Sequence, residues 1–301
     1  MRARTTMTGL ALTAGLALSM VPASLASAGA PSADRATTSV VSHKAATTKA
    51  EQQRVEDYWT PARMKSAIPV GVKVNPTKGK PGGSTGGTAV SETPQSQFGK
   101  VFFTSGNSNY VCSGTATTST NGDVVTTAGH CVSDGGVFVT NFAFVPAYNN
   151  NVRPYGTWTA RALYTTDQWK NGEDYDYDAA FAVMNDNSAG QDLTTATGGY
   201  TAGFGLPRGQ TMKAYGYPAA RPFNGQTLYS CSGVVVQDTY GGGQDQGLAC
   251  NMTGGSSGGG WLQNGQLASV TSFGYTGVKN ILWGPYFGPV IQAVFNTAQV
   301  A

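Results

Sequence analysis

Histidine is almost missing from this chain: there are two in 301 residues, His43 and His130. Charge is sparse too, at 12% of residues, and it is unevenly spread. Residues 1–90 hold 11 Lys and Arg against 4 Asp and Glu, a balance of +7. Residues 91–301 hold 8 against 12, a balance of −4. The overall +3 is therefore no basic surface, and without a basic cluster the electrostatic footprint of a nucleic-acid-binding protein is excluded. The four cysteines show no CxxC spacing and have one histidine near them, which argues against a zinc site. Beyond the first 28 residues no apolar run is long enough to cross a bilayer. No internal repeat has a clean period, so a solenoid or propeller is not indicated.

What is present begins with an export signal. Arg2 and Arg4 supply a charged start, Leu10 to Val21 an apolar core, and Ala26-Ser27-Ala28 a cleavage site with cutting expected after Ala28. An exported chain makes disulfides plausible for Cys112, Cys131, Cys231 and Cys250. Four cysteines allow three pairings, of which the local one, with each pair closing a short loop, is adopted.

Residues 29–90 differ from the rest. They carry Lys, Gln, Ala and Thr, and their aromatic residues are Tyr58 and Trp59. The stretch from Lys78 to Gly87, KGKPGGSTGG, reads as a flexible, protease-sensitive linker. The segment reads as a propeptide with linker, the alternative being a disordered tail kept in the mature protein. From Phe98 onward, runs such as GKVFFTS, DVVTTAGH, GVFVTNFAFVPAY, YDAAFAVM and LYSCSGVVVQDT are β-branched and aromatic, and Gly, Asn and Asp separate them. Short strands at regular spacing predict an all-β domain over 91–301, an antiparallel barrel or sandwich. In the tail, Val290, Ile291, Val294 and Phe295 recur at helical spacing, so Pro289 to Ala298 is expected to be an amphipathic helix.

Three short settings carry chemistry. His130, the one histidine left once the leader and linker are removed, lies in Thr126-Thr127-Ala128-Gly129-His130-Cys131. A neutral imidazole is the usual general base near pH 7. Gly254-Gly255-Ser256-Ser257-Gly258-Gly259 surrounds a hydroxyl with glycines, as a nucleophile on a sharp turn beside free backbone N–H groups requires. Between them, Asp174, Asp176 and Asp178 alternate, with Asp178 directly before an apolar run. A carboxylate that orients the imidazole would complete a triad, and Asp178 is the best placed. A solvated acidic loop or part of a calcium site is the alternative for Asp174 and Asp176.

Together, CSGT followed by TAGHC, then DAAFAV, then GSSGG, then Ser272-Phe273-Gly274, resemble the chymotrypsin-like (trypsin-fold) serine peptidases, in the bacterial secreted branch that includes the glutamyl endopeptidases. The resemblance spans roughly residues 98 to 300, and the order His, Asp, Ser is that of the family. It implies two antiparallel six-stranded β-barrels with a C-terminal helix. It implies a secreted serine endopeptidase acting through His130, Asp178 and Ser257, with the backbone N–H groups of Gly255 and Ser257 as the oxyanion hole. It pairs Cys112 with Cys131 and braces the wall before Ser257 with Cys231 and Cys250. Ser257 fits Gly-x-Ser-Gly-Gly in full, whereas Ser256 as nucleophile would put Ser257 where the pattern has Gly. No metal or organic cofactor is called for. The expected partners are protein or peptide substrates, with neither nucleic acid nor membrane, and the protein is expected to be a monomer.

The chain departs from the family in two ways. Ser256 stands where trypsin-like zymogens carry the Asp that receives a new N-terminal amine, and no IVGG-like start is present. The segment before the domain is then left to block the cleft, assist folding or place a new N-terminus differently. Asn251 stands where a trypsin-like pocket has Asp, and no second histidine exists in the domain to anchor a glutamyl side chain. Asn251, Met252 and Thr253 are expected to shape an uncharged pocket, and Ser272, Phe273 and Gly274 to offer an edge to an extended peptide. A catalytically silent binding or adhesion member of the fold is the alternative function. A glycosidase would need two carboxylates across a sugar cleft and leaves TAGHC without a role.

Overall fold

The computed structural model describes residues 40–79 and 87–301. The expected leader to Ala28 and the middle of the Gly-rich linker lie outside the described residues. The N-terminal segment is built of β1 (Val40–Lys44), α1 (Lys49–Tyr58), α2 (Pro61–Ser66), β2 (Ile68–Pro69) and β3 (Val72–Val74). Helix α1 starts at a capping box. Thr48 accepts from the Glu51 amide, and the Glu51 carboxylate takes the N–H groups of Thr47 and Thr48 at 2.9 Å each. Those backbone donors hold the Glu51 carboxyl down to about 2. Helix α2 starts with Thr60 as cap and Pro61 in its first turn, where a missing N–H costs nothing. After the linker, β4 (Val90–Ser91) begins the domain.

The first half of the domain comprises β5 (Phe98–Ser105), β6 (Ser108–Thr117), β7 (Val124–Thr127), the short pair β8 (Ser133–Asp134) and β9 (Val137–Phe138), β10 (Thr140–Pro146), β11 (Trp158–Thr166) and β12 (Ala180–Met184), with helix α3 (Asp167–Gly172) after β11. Strands β5, β6, β7, β12, β11 and β10 pair antiparallel in that order, and β10 closes onto β5. This is a six-stranded barrel of the kind the resemblance implied. Its interior holds Val101, Val125, Phe144, Leu163, Phe181 and Val183. Strand β5 reads as a continuous apolar run because its outer face is buried as well. Phe98, Phe102, Val111 and Tyr148 lie beneath Trp59 and Met64 of the N-terminal segment. Trp59 is 1% exposed, and its indole N–H donates to the Asn141 carbonyl. The segment is thus a packed part of the structure, with β1 on the edge of β11, and not a loose tail.

The second half follows helix α4 (Leu193–Thr197). Its strands are β13 (Thr211–Gly216), β14 (Tyr229–Val234), β15 (Val236–Gln237), β16 (Gln246–Ala249), β17 (Gly260–Gln263), β18 (Gln266–Val270), β19 (Phe273–Tyr275) and β20 (Ile281–Gly284). Together with β4 and β3 they bond as two five-stranded sheets, in the orders β18-β17-β13-β14-β4 and β15-β16-β20-β19-β3. Cys231 on β14 and Cys250 after β16 join the two sheets through a disulfide, and Cys112 pairs with Cys131 in the first half. Each bond closes a loop of 19 residues' separation, a length for which chain entropy gives about 3 kcal/mol. Helix α5 (Pro289–Ala298) buries Ile291, Val294, Phe295 and Ala298 against the first barrel, while Val290 is half-buried. Each large apolar side chain contributes about 1.5–3 kcal/mol. Among the described residues no helix is long and apolar enough to cross a membrane.

Candidate active site

His130 stands on a single 3-10 turn, Gly129–Cys131, at the end of β7. The Cys131–Cys112 disulfide ties that turn to β6. Across the barrel, a second 3-10 turn, Tyr175–Tyr177, delivers Asp178 just ahead of β12, fully buried. The two residues meet twice. One Asp178 oxygen accepts from the His130 backbone N–H at 2.8 Å, and the other lies 2.7 Å from His130 Nδ1. A carboxylate can only accept, so Nδ1 carries a proton, and in the neutral ring Nε2 keeps its lone pair, the tautomer a general base needs. Nε2 is buried and has no hydrogen-bond partner among the described residues. The Trp169 ring stands edge-on to the imidazole, 6.1 Å between centroids.

Neither Asp174 nor Asp176 reaches His130. The Asp174 carboxylate caps the second turn by accepting from the Asp176 amide at 3.1 Å. Asp176 accepts from the Gln244 amide across the cleft. With Asp238 and Asp245 they line an acidic hollow beside β19. Burial, reinforced by the Asp176 and Asp238 carboxylates, pushes the Asp245 carboxyl well above the usual carboxylate range.

Ser257 comes from the loop between β16 and β17. Gly255 there has φ +96°, a conformation side chains rarely adopt, and this turns its N–H outward into the cleft. Two anchors on Ser113 of β6 fix the loop: its backbone N–H donates to the Ser257 carbonyl at 2.7 Å, and its hydroxyl donates to the Gly255 carbonyl at 2.8 Å. The two adjacent serines point to different places. The Ser256 hydroxyl turns back into its own loop and donates to the Thr253 carbonyl at 2.7 Å. The Ser257 hydroxyl faces the cleft and donates to the Val70 carbonyl at 3.2 Å. The same Val70 oxygen accepts from the Gly255 N–H at 2.6 Å. Of the two groups expected to hold an oxyanion, Gly255 thus engages a carbonyl through its amide, and Ser257 reaches that oxygen through its hydroxyl.

A cavity of about 350 Å³ lies beside Ser257, with Ala220, Met252, Thr253, Thr271 and Leu282 among its lining residues and no carboxylate or imidazole in its wall. Asn251 does not line it: its side-chain oxygen accepts from the Ala89 amide at 2.7 Å and pins the start of the domain. Ser272 has a role beyond the backbone edge expected of it, because its hydroxyl donates to Asp178. Phe273 and Gly274 do present that edge, and β3 is paired along it. The Phe273 ring sits among Tyr175, Tyr275 and Trp283. Ser113 and Val70 were not singled out from the sequence. Ser113 lies inside the CSG motif, and a backbone carbonyl leaves no side-chain signature.

No family model matches the chain, and no curated protein matches it. Solved structures do. The crystal structure of the protease Anisep from Arthrobacter nicotinovorans is 50% identical, with 71% of this chain and 100% of that chain covered and a TM-score of 0.68. A thermostable serine protease, AL20, from an extremophilic microorganism is 43% identical over 69% of this chain and 98% of its own, with a TM-score of 0.66. A Glu endopeptidase shares the fold at 20% identity and a TM-score of 0.59, covering 72% of this chain and 99% of its own. With two relatives above 40% identity, each covered over 98% or more of its length, the chain belongs to the chymotrypsin-like serine peptidases and is a hydrolase of peptide bonds.

Proposed function

We propose that this is a secreted, monomeric serine endopeptidase, made as a precursor with residues 1–28 as signal peptide and 29–90 as propeptide and linker, and acting through Ser257, His130 and Asp178. The observations that carry the catalytic reading are the meeting of one peptide carbonyl oxygen with both the Gly255 N–H and the Ser257 hydroxyl, and the pairing of the His130 Nδ1 with Asp178, which leaves Nε2 for base work. In the reaction, Ser257 Oγ attacks the carbonyl carbon of a bound peptide while His130 Nε2 takes its proton. The oxyanion that forms is held by the N–H groups of Gly255 and Ser257. The C–N bond breaks as His130 returns the proton to the leaving amine. Water, deprotonated by His130, then attacks the acyl ester and frees Ser257. The buried Asp178, gripped by Ser272 and by the His130 backbone, stabilises the imidazolium in both halves.

Lys73 of the N-terminal segment is the one charged residue lining the pocket, and the part of the wall that the domain supplies is uncharged, which supports cleavage after apolar or small polar residues. It offers neither the carboxylate that would fix Arg or Lys nor an imidazole for Glu. The test is proteolysis by the Ser257→Ala and Ser256→Ala variants after processing. Ser257→Ala is expected to abolish cleavage and Ser256→Ala to retain it; the opposite pattern would move the nucleophile to Ser256.

A further inference from the structure

The carbonyl that occupies the catalytic centre belongs to the chain itself. Residues 68–74, IPVGVKV, cross the cleft as two short strands, and Val70, Val72 and Val74 face inward. On one side, β2 pairs with β6, Ile68 opposite Tyr110 and Pro69 opposite Val111, and the Val70 amide donates to the Val111 carbonyl at 3.1 Å. On the other side, β3 pairs with β19, Val72 opposite Phe273 and Val74 opposite Tyr275. Past the cleft, the Thr77 and Lys78 amides donate to the Tyr240 carbonyl at 3.0 and 2.7 Å. Both strand pairings are parallel. The chain therefore enters along β6 and leaves along β19, with the Val70 carbonyl on Gly255 and Ser257 at the centre.

That direction works against cleavage. The turn bearing His130 is tied to β6 by the Cys112–Cys131 disulfide. A peptide that gives its leaving nitrogen to His130 must have its acyl half on the β19 side and its amine half on the β6 side. Here the order is inverted: the nitrogen that would leave, that of Gly71, lies toward β19. The Ser257 hydroxyl also donates to the oxygen of the carbonyl it would attack, while His130 Nε2 has no partner among the described residues. Gly71 makes the approach possible. A Cβ there would stand 3.0 Å from the Gly254 backbone, which cannot swing aside as a side chain can.

We infer that residues 68–74 form an inhibitory plug, threaded backwards through the cleft, which occupies the oxyanion site and the β19 edge and is not itself cut. This regulation rests on the catalytic reading above. Because Trp59 and Met64 are buried on the domain, cutting the linker leaves the plug in place. Release takes a further cut within residues 40–79, or unfolding of that segment.

The test is a time course of the full-length protein treated with a fluorophosphonate probe, with the uncut chain resolved on a gel from the processed chain, meaning the one that has lost residues 40–79 and not merely been cut in the linker. The uncut wild-type chain is expected to label at least about tenfold more slowly than the processed chain, which corresponds to about 1.4 kcal/mol of occlusion. The uncut Gly71→Val chain is expected to label faster than the uncut wild type. Fragment mass spectrometry should find the Val70–Gly71 bond intact throughout, a readout that does not depend on how the variant folds. Equal labelling of uncut and processed wild type, or prompt cleavage at Val70–Gly71, would overturn the plug. If neither form labels, the catalytic reading falls, and the plug with it.

Discussion

Asp178 holds His130 at two points, through the ring Nδ1 at 2.7 Å and through the backbone N–H at 2.8 Å, one carboxylate oxygen for each. A single side chain thereby fixes both the tautomer of the imidazole and the position of the turn that carries it. Replacing Asp178 by Asn puts an amide where two donors expect acceptors and favours the wrong tautomer. The processed Asp178→Asn protein is expected to bind substrate but to lose on the order of 10⁴ in kcat, as triads generally do. Steady-state kinetics on a peptide substrate checks this, and a loss below tenfold would count against Asp178 as the orienting residue.

Ser113 links the two halves of the site. Its hydroxyl donates to the Gly255 carbonyl at 2.8 Å and accepts from the Tyr217 amide at 2.9 Å, all in buried surroundings. Ser113→Ala leaves both backbone groups without that partner, at about 1–3 kcal/mol for each buried group left unpaired. A fall of several degrees in Tm is expected, together with a lower kcat because the Gly255 N–H is no longer held. A variant with unchanged Tm and kcat would show that the loop is positioned by other contacts.

Lys100 gives the stability a pH dependence. It is 2% exposed, its Nζ donates to the Gly225 carbonyl at 2.9 Å, and burial pushes it down to about 7 from an ordinary 10.5. The rings of Phe102 and Tyr148 lie within 5.1 and 4.5 Å of the Nζ and favour the charged form, but the burial outweighs them. Between those two pH values the unfolded chain holds a proton that the folded chain does not, so stability rises with pH, at up to about 1.4 kcal/mol per unit. The contribution is fully present above the unfolded value and is lost as pH falls to about 7. Denaturant midpoints at pH 7.5, 8.5 and 9.5 should climb for the wild type and stay flatter for Lys100→Met. Parallel curves would assign the slope to other groups.

The candidate catalytic residues stood out in the sequence because each lies in a short turn whose backbone geometry restricts its neighbours: glycines around Ser257, Gly-His-Cys at the end of β7, an Asp ahead of a buried strand. Helix α5 was legible from three-to-four spacing, and an antiparallel barrel or sandwich from short β-branched and aromatic runs; that the first half closes as a six-stranded barrel was implied only by the family resemblance. The docking of residues 40–79 was not. Helix α1 has no buried residue, so it lacks an apolar stripe to read. The segment is fastened instead by strand edges, by Trp59 and by backbone carbonyls, which one sequence does not advertise. The alternation of Val70, Val72 and Val74 was the available signal. The side-chain roles of Asn251 and Ser272 depend on partners more than 70 residues away and could not be read locally.

Trp59 tests how the N-terminal segment is held. It fills the outer face of β5 against Phe102, with ring centroids 5.4 Å apart, and bonds to Asn141. Trp59→Ala is expected to weaken that packing by about 3–5 kcal/mol. Residues 40–79 should become sensitive to limited proteolysis, and the processed protein, which lacks Trp59, should be unaffected. Wild-type-like resistance in the variant would mean that β1 and β3 suffice to hold the segment.

The central claim is that Ser257 is the nucleophile, activated by His130. Its most direct test is the mass of the adduct that a fluorophosphonate forms with the processed protein, mapped by peptide sequencing. One probe per chain on Ser257, abolished in both Ser257→Ala and His130→Ala, is the expected result. Labelling on Ser256, or a processed protein that cleaves peptides yet takes no label, would contradict it.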